Sequence, residues 1–461
     1  MRKPWVHLGA VVMSLALVGA ACGGDDSSGA EDSGSETTAA EGSSETTAAG
    51  GAAGAGDTAG ALEGMKGTTP LVELSDDFKT RLNDAWVAAG NEPLKDYNYA
   101  AETYDAIVII ALAAEKAKTD GIDYAKEING ITRDGDKCDD FASCKAIIDK
   151  GGDPDYDGLS GPLEFNGAGE PMQASYGVLQ FGSDNRLDDS LTTYEQVTAP
   201  ASADIPDVAV EGTRTGDGEL KIGSILPQTG SLAFLGPPEF AGFDLAIADI
   251  NEAGGVLGKP VVGIKGDSGD ATTDTVNQTT DRLLAENVDA IIGAASSGVS
   301  LKVIDKITGA GVVQFSPANT SPDFTTYADK GLYFRTAPSD LLQGQIIGEL
   351  VAGDGHKNVA VINRNDSYGV GLTEALTAAL EGAGSTVVVT KTYDEKADRF
   401  NAEVNEIVGE SPDAVVIIGF EETSKILATM VEAGVGPKDI AVYGCDGNMG
   451  NALGENFDAG S

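Results

Sequence analysis

The sequence predicts an α/β protein of two doubly wound, parallel-sheet lobes joined by a hinge, with its segments in circularly permuted order. Three observations carry this. From residue 220 onward, short continuous apolar runs alternate with amphipathic ones, the pattern of parallel strands covered on both faces by helices. The alternation falls into two successive sets, 220–338 and 339–461, each suited to one lobe. The chain also reads out of order. Leu220–Gly230 (LKIGSILPQTG) is written like the first strand of a domain, yet α/β-like sequence from 61 precedes it. Joining Gly460 to Ala61 makes the last, unfinished βα unit continuous.

The elements follow in chain order. Met1–Cys22 reads as an export signal: Arg2 and Lys3 are followed by the apolar run Leu8–Val18, which is short for a membrane span. Small residues, Gly19-Ala20-Ala21, precede Cys22. Residues 23–60 are rich in Gly, Ser, Thr, Ala and Glu, a composition that buries no core and serves as a disordered tether. In 61–196 a long apolar helix is expected over Ala100–Lys118 and another near Asp123–Asn129. A disulfide is expected between Cys138 and Cys144, which flank a short polar turn. Gly161–Phe165 and Ala174–Phe181 read as a hairpin. These pieces make a poor core by themselves, so 61–196 is expected to complete both lobes, a separate small domain being the alternative. Residues 197–219 are a Pro/Gly/Thr-rich linker that spans roughly 75 Å if extended.

Strands are expected at Leu220–Leu226, Pro260–Ile264, Ala290–Gly293 and Val312–Phe315 in lobe 1. In lobe 2 they fall at Asn358–Ile362, Thr386–Thr390, Ala414–Ile418 and Ile440–Tyr443. Helices between them are expected over Phe240–Asn251, Thr272–Glu286, Val299–Thr308, Leu341–Ala352, Gly371–Ala383, Phe400–Val408 and Ser424–Ala433.

Composition narrows the function. With 73 acidic against 30 basic residues the formal charge is −43, which repels nucleic acid and anionic lipid. Beyond His7, in the signal, the chain has only His356, so mechanisms and metal sites that rely on histidine lack material. No Gly-x-Gly-x-x-Gly follows a strand and no phosphate loop is present. Neither a cofactor nor a metal is expected, and an enzyme is the weakest of the readings.

Several blocks then carry a resemblance. LKIGSILPQTGSLAFLGPPEFAGFDLAIADINEAGGVLGKPV (220–261) is similar to the opening of type I periplasmic binding proteins, in the leucine/isoleucine/valine-binding branch that serves ABC importers. IIGAASSGVS (291–300), QFSPANTSPDF (314–324), LYFRTAPSD (332–340), NDSYGVGLTEAL (365–376), DAVVIIGFEE (413–422) and VYGCDGNMGN (442–451) agree in order. YAAETYDAIVIIALAAEKA (99–117) and GPLEFNGAGEPMQASYGVLQF (161–181) resemble that family's closing helix and final strands, which there follow the other blocks. The resemblance implies a circular permutant. Gly19-Ala20-Ala21 before Cys22 resembles a bacterial lipobox, which implies a lipoprotein anchored through Cys22 to the outer face of the cell membrane, secreted if Cys22 is not lipidated.

Strand ends and helix N-termini around one interlobe cleft suit a carboxylate. Ser296-Ser297-Gly298 and the stretch Ser316–Ser321, with Ala318, Asn319 and Thr320, stand at such places, helix capping being the plainer alternative. By resemblance, Ser297 and Thr320 hold an α-carboxylate and the Ala318 carbonyl accepts from an α-ammonium. Tyr368 and Phe420 are aromatic walls, and Asp446 pairs with the ammonium, unless it is simply a turn residue beside Gly447. Leu235 stands where the family often has an aromatic, and Asp446 where it has a longer Glu. All these residues lie in 220–460. The function implied is solute capture for an ABC permease by hinge closure, the ligand being an amino acid or small amide. A sensory binding module of the same fold is the alternative.

Overall fold

The computed structural model describes residues 59–460. The expected export signal, lipidated Cys22 and nearly all of the tether lie outside the described residues.

The first part of the chain contains β1 (Lys66–Pro70), α1 (Asp76–Ala88), α2 (Ala100–Ala117), β2 (Asp136–Cys138), α3 (Phe141–Asp149), β3 (Pro154–Tyr156), β4 (Gln173–Gln180) and β5 (Thr193–Thr198). After the linker come β6 (Lys221–Ile225), α4 (Gly236–Glu252), β7 (Val262–Ile264), α5 (Thr275–Ala285), β8 (Ala290–Gly293), α6 (Ser297–Leu301), α7 (Ile304–Gly309), β9 (Val313–Ser316) and β10 (Tyr333–Arg335). The remainder is α8 (Asp340–Gly353), β11 (Asn358–Arg364), α9 (Ser367–Gly382), β12 (Thr386–Tyr393), α10 (Asn401–Glu410), β13 (Ala414–Ile418), α11 (Thr423–Glu432), β14 (Ala441–Gly444) and α12 (Asn451–Ala459).

Two sheets result. The first, all parallel, has the order β10-β9-β8-β6-β7. The second has the order β12-β11-β13-β14-β1-β4-β5, parallel as far as β1 and antiparallel beyond it. Apolar runs such as Ala-Val-Val-Ile-Ile in β13 are buried at every position, as a strand covered on both faces requires. In α2 every residue from Ala100 to Glu115 is buried, which marks a helix enclosed all round. It packs on α4, where a Cβ at Gly242 would stand 2.3 Å from the Ala100 carbonyl oxygen. A similar small-residue seam joins α8 to α9: a Cβ at Gly344 would meet that of Ala375 at 2.5 Å.

The first part of the chain divides its elements between the two bodies. β1, β4 and β5 lie in the seven-stranded sheet, with Lys66 opposite Tyr443 and Gly67 opposite Gly444. α2 packs instead against α4 and the five-stranded sheet. Residues 61–65 lie close to the end of α12. The Asn185 side chain accepts from Leu62 N–H at 3.0 Å and donates to Asp458 at 2.7 Å. Leu62, Met65, Leu453 and Phe457 share one apolar cluster.

The linker is laid over the five-stranded body rather than hanging free. Gly167 N–H donates to Ile205 C=O, Val208 N–H to Gly167 C=O, and Glu211 N–H to Lys330 C=O. Arg214 pairs with buried Asp289 at 2.6 Å, and Asp120 accepts three N–H groups from Asp217, Gly218 and Glu219.

Some expectations need correction. Gly161–Phe165 does not pair with β4: Phe165 makes a single antiparallel bridge to Pro171, and β4 pairs with β1 and β5 instead. Asp123–Asn129 is not an α-helix but two short 3-10 turns. The single helix expected over Val299–Thr308 is two, α6 and α7, broken at Lys302 and Val303. The disulfide Cys138–Cys144 is present, joining β2 to α3.

Candidate ligand site between the lobes

The site is a narrow cavity of about 10 Å³ lined by Tyr99, Leu232, Leu235, Ala295, Ser296, Ser297, Ala318, Thr320, Tyr368, Phe420, Asp446 and Gly447. One wall comes from loops after β6, β8 and β9, the other from α9 and the loops after β13 and β14. Direct bonds tie the walls together: Glu421 N–H donates to Ser231 C=O at 3.2 Å, and Ser321 Oγ donates to Ser367 C=O at 3.0 Å. A wider hollow of about 200 Å³ adjoins, sharing Phe420 and Gly447 and adding Phe234 and Leu453.

On the first wall, Ser296 stands immediately before α6, and its side chain makes no cap hydrogen bond. The simple capping alternative therefore does not hold for it. Ser297 is buried and its hydroxyl faces Ser321 N–H at 3.4 Å. Ser316 Oγ accepts from both Ala318 N–H and Asn319 N–H, which folds the loop so that Ala318 and Thr320 reach the cavity.

Asn319 does not reach it. Its amide donates to the carbonyls of Ala294 and Ala295 at 3.0 and 2.8 Å, and its Oδ1 accepts from Tyr333. Fully buried with all these bonds made, it braces the two loops against each other. The loop itself hangs on Arg335, which donates to the Asn319 and Ser321 carbonyls and pairs with Glu170. The sequence reading did not reach Arg335 or Glu170, whose pairing spans 165 residues.

On the second wall, Asp366 caps α9 by accepting from Gly369 N–H at 2.8 Å, placing Tyr368 in the first turn. Tyr368 stacks on Phe420 with ring centroids 5.4 Å apart. The Arg364 guanidinium covers the Phe420 ring, 3.8 Å from its centroid, a cation–π contact that fixes the aromatic face.

Asp446 ends the second wall. Its two carboxylate oxygens accept from Tyr99 Oη at 2.7 Å and Tyr368 Oη at 2.8 Å. Burial pushes this carboxyl above its usual range, against the pull of both hydroxyls, the Gln343 amide and the Gly447 N–H. Tyr99 overturns the expectation that every cavity residue lies in 220–460. It comes from the start of α2, in a left-handed backbone conformation at φ 60°. That conformation costs a non-glycine residue on the order of 1–2 kcal/mol, and such outliers gather at functional sites.

Comparison with known proteins agrees with this architecture. The family described as "Periplasmic binding protein" matches residues 219–460, just over half of the chain. The chain belongs to the periplasmic binding protein family. A second description, "Receptor family ligand binding region", matches residues 27–184. Leu/Ile/Val-binding protein BraC3 of Rhizobium johnstonii is 30% identical over 213 residues, covering 46% of this chain and 57% of that protein. Leu/Ile/Val-binding protein homolog 3 of Brucella melitensis is 28% identical over 211 residues, with the same coverage of 46% and 57%. The chain thus spans less than two thirds of the length of these relatives. Among solved structures, the branched-chain amino acid transporter substrate binding protein LivJ of Streptococcus pneumoniae, in complex with isoleucine, is 28% identical with a TM-score of 0.46. That alignment covers 52% of this chain and 67% of LivJ.

Proposed function

We propose that this chain is the extracytoplasmic solute receptor of an ABC importer and binds an amino acid, branched-chain or similar, or a small amide, between its lobes. The observation that carries this is the cavity's polarity. One end holds a buried carboxylate, Asp446, suited to an ammonium group. The facing loops bring Ser296, Ser297 and Thr320, suited to a carboxylate. Stacked Tyr368 and Phe420 form an apolar side between them. The names of the relatives, Leu/Ile/Val-binding proteins, favour the same ligand class.

Ligand touching both walls shifts an open–closed equilibrium by its differential affinity for the closed form. Closed receptor then docks on the membrane permease subunits, with lipidated Cys22 and its tether keeping it at the membrane surface. Calorimetric titration of the 61–461 chain against the twenty amino acids, urea and short amides tests the assignment. Cooperatively folded protein that binds none of them refutes it.

The same reading includes the permuted order, with 61–196 completing both lobes, 220–338 and 339–461 as lobe cores and 197–219 as the connecting strap. It is supported by β1 lying beside β14 and by the Asn185 bridge between Leu62 and Asp458. A rearranged gene, 220–460 followed directly by 61–196, is expected to yield a protein with the same cooperative unfolding. Failure of that protein to fold counts against the permutation.

A further inference from the structure

The 197–219 linker crosses between the two bodies side by side with another crossing. The chain passes from one body to the other at 71–75, between β1 and α1, at 170–172, ahead of β4, and at 336–339, between β10 and α8. Residues 199–203 make a further passage, from β5 of the seven-stranded sheet to the five-stranded body. This passage is tied to the one at 166–172 at both ends. Beside the seven-stranded sheet, Thr198 stands opposite Gln173, and Ala199 N–H donates to Met172 C=O at 2.7 Å. Beside the five-stranded body, Asn166 Nδ2 donates to Ala203 C=O at 3.0 Å and Gly167 N–H to Ile205 C=O at 2.9 Å, while Val208 N–H donates to Gly167 C=O at 3.0 Å. A Cβ at Gly167 would overlap the Pro206 carbonyl, so the linker lies flat on a residue that has no side chain. The slack between the ties is one 3-10 turn, Ala201–Ala203, preceded by Pro200 and closed by Ala203 N–H on Pro200 C=O at 2.8 Å.

A hinge bends where a few residues are free to change φ and ψ. The 166–172 passage is already fastened within itself: Asn166 N–H donates to Glu170 C=O and Gly169 N–H to Asn166 C=O, both at 3.0 Å, and Arg335 N–H donates to Gly169 C=O at 2.9 Å. With the linker bonded along it, the two passages form a double band. Such a band bends only if its halves slide past each other, which shears the bonds between them. The band includes Glu170, whose Oε1 lies 3.3 Å from Asn166 Nδ2 and which holds Arg335 and through it the loop carrying Thr320. The form held in this way is shut. Its walls are bonded directly, Glu421 to Ser231 and Ser321 to Ser367, and the cavity of about 10 Å³ between them has room for about one water. An amino acid enters only when the walls part.

Resting on the hinge-closure reading above, we infer that residues 199–208 are a splint across the hinge, which holds the ligand-free receptor shut and sets how fast ligand gains access. The ties are made in the shut form and strained in the open one, so they lower the open fraction and with it the association rate. Releasing ties worth about one net hydrogen bond is expected to raise the open fraction about tenfold.

Fluorescence energy transfer in the full chain tests this, with dyes at Gln278→Cys on α5 and Lys425→Cys on α11, one exposed position on each body. Cys22→Ser is added to keep the dyes off that thiol; Cys445 is buried and Cys138 and Cys144 are bridged. A short Gly/Ser insertion after Pro200 slackens the crossing and keeps every bonded residue. The same insertion after Gly212 lengthens the linker beyond the crossing and serves as the control. Without ligand, the parent and the control are expected to show one high-transfer population, and the Pro200 insertion an added low-transfer one. Gly167→Ala, which displaces the linker at Pro206, is expected to act in the same direction and carries the test if the insertion does not fold. Stopped-flow mixing with L-leucine is expected to give association about tenfold faster for the slackened protein than for the parent, in proportion to its open fraction. Identical ligand-free distributions in the parent and the slackened proteins overturn the inference, as does equal opening by both insertions. If no amino acid binds, the ligand assignment fails, while the ligand-free distributions still decide whether the linker holds the hinge.

Discussion

Replacing Glu170 with glutamine tests how the first part of the chain supports the cavity. Glu170 accepts from Arg335 Nε at 3.0 Å, and the two side chains are only 7% and 1% exposed. Arg335 in turn donates to the carbonyls of Asn319 and Ser321 at 3.1 and 2.8 Å, on either side of cavity residue Thr320. Glutamine preserves the shape and a contact to Thr325 but leaves the guanidinium buried without a counter-charge. Removing one member of such a pair costs about 3–5 kcal/mol. Because Arg335 keeps its two carbonyl acceptors, the lower end, about 3 kcal/mol, is expected. Urea unfolding followed by circular dichroism measures it, as a lowered midpoint with an unchanged slope. A loss below about 1 kcal/mol would refute the view that this pair braces the loop.

The same variant has a pH signature. Burial pushes Glu170 up, but the charge and hydrogen bonds of Arg335 outweigh it and hold the carboxyl below its usual range. A depressed folded-state value means the stabilisation is present above about pH 4.3, the ordinary glutamate value, and disappears as pH falls through the folded-state value. The parent's acid unfolding therefore includes a proton uptake that Glu170→Gln lacks.

Three further outcomes are expected. Tyr99→Phe removes the 2.7 Å hydrogen bond to Asp446 and, at about 1.5 kcal/mol or more for a bond to a charged group, weakens ammonium-ligand affinity about tenfold. Affinity and pH profile both unchanged by calorimetry would remove Tyr99 from the site. Asp446→Ala is expected to cost a zwitterionic ligand about 2–5 kcal/mol; binding as tight as the parent's would show that Asp446 does not meet the ammonium. Substituting both Cys138 and Cys144, which close a loop with a sequence separation of 6, is expected to cost about 2 kcal/mol of stability. Ligand affinity should be unaffected, and a loss of binding at unchanged stability would contradict this assignment of the bridge.

The lobes were readable in the sequence where local pattern carries the information. β8 and β13 fall on the expected residues because strands buried on both faces must be continuously apolar. Ser296, Ser297, Ala318, Thr320, Tyr368, Phe420 and Asp446 all line one cavity; the alternation places the two serine-containing loops after strand ends, and the family resemblance singles out Tyr368, Phe420 and Asp446. Asn319 sits in the same loop and is turned away, a distinction that rests on Ser316, Tyr333 and the Ala294 and Ala295 carbonyls. No residue pattern near Asn319 encodes that direction.

What only the tertiary structure decided are the contacts made across long stretches of chain. β4 reads as half of a local hairpin because a strand's apolar pattern does not name its partner, and here the partners are β1 and β5. Tyr99 meets Asp446 across 347 residues, and Glu170 meets Arg335 across 165. The sequence by itself determined the covered parallel strands of the two large sheets, because apolar periodicity is a local property of the chain, but not the antiparallel β4 and β5 that extend one of them. The second wall's hydrogen-bonded acid and the buried pair behind the first wall became visible only on folding. Burial converts ordinary polar side chains into groups that must find partners, and which partners they find is set by packing.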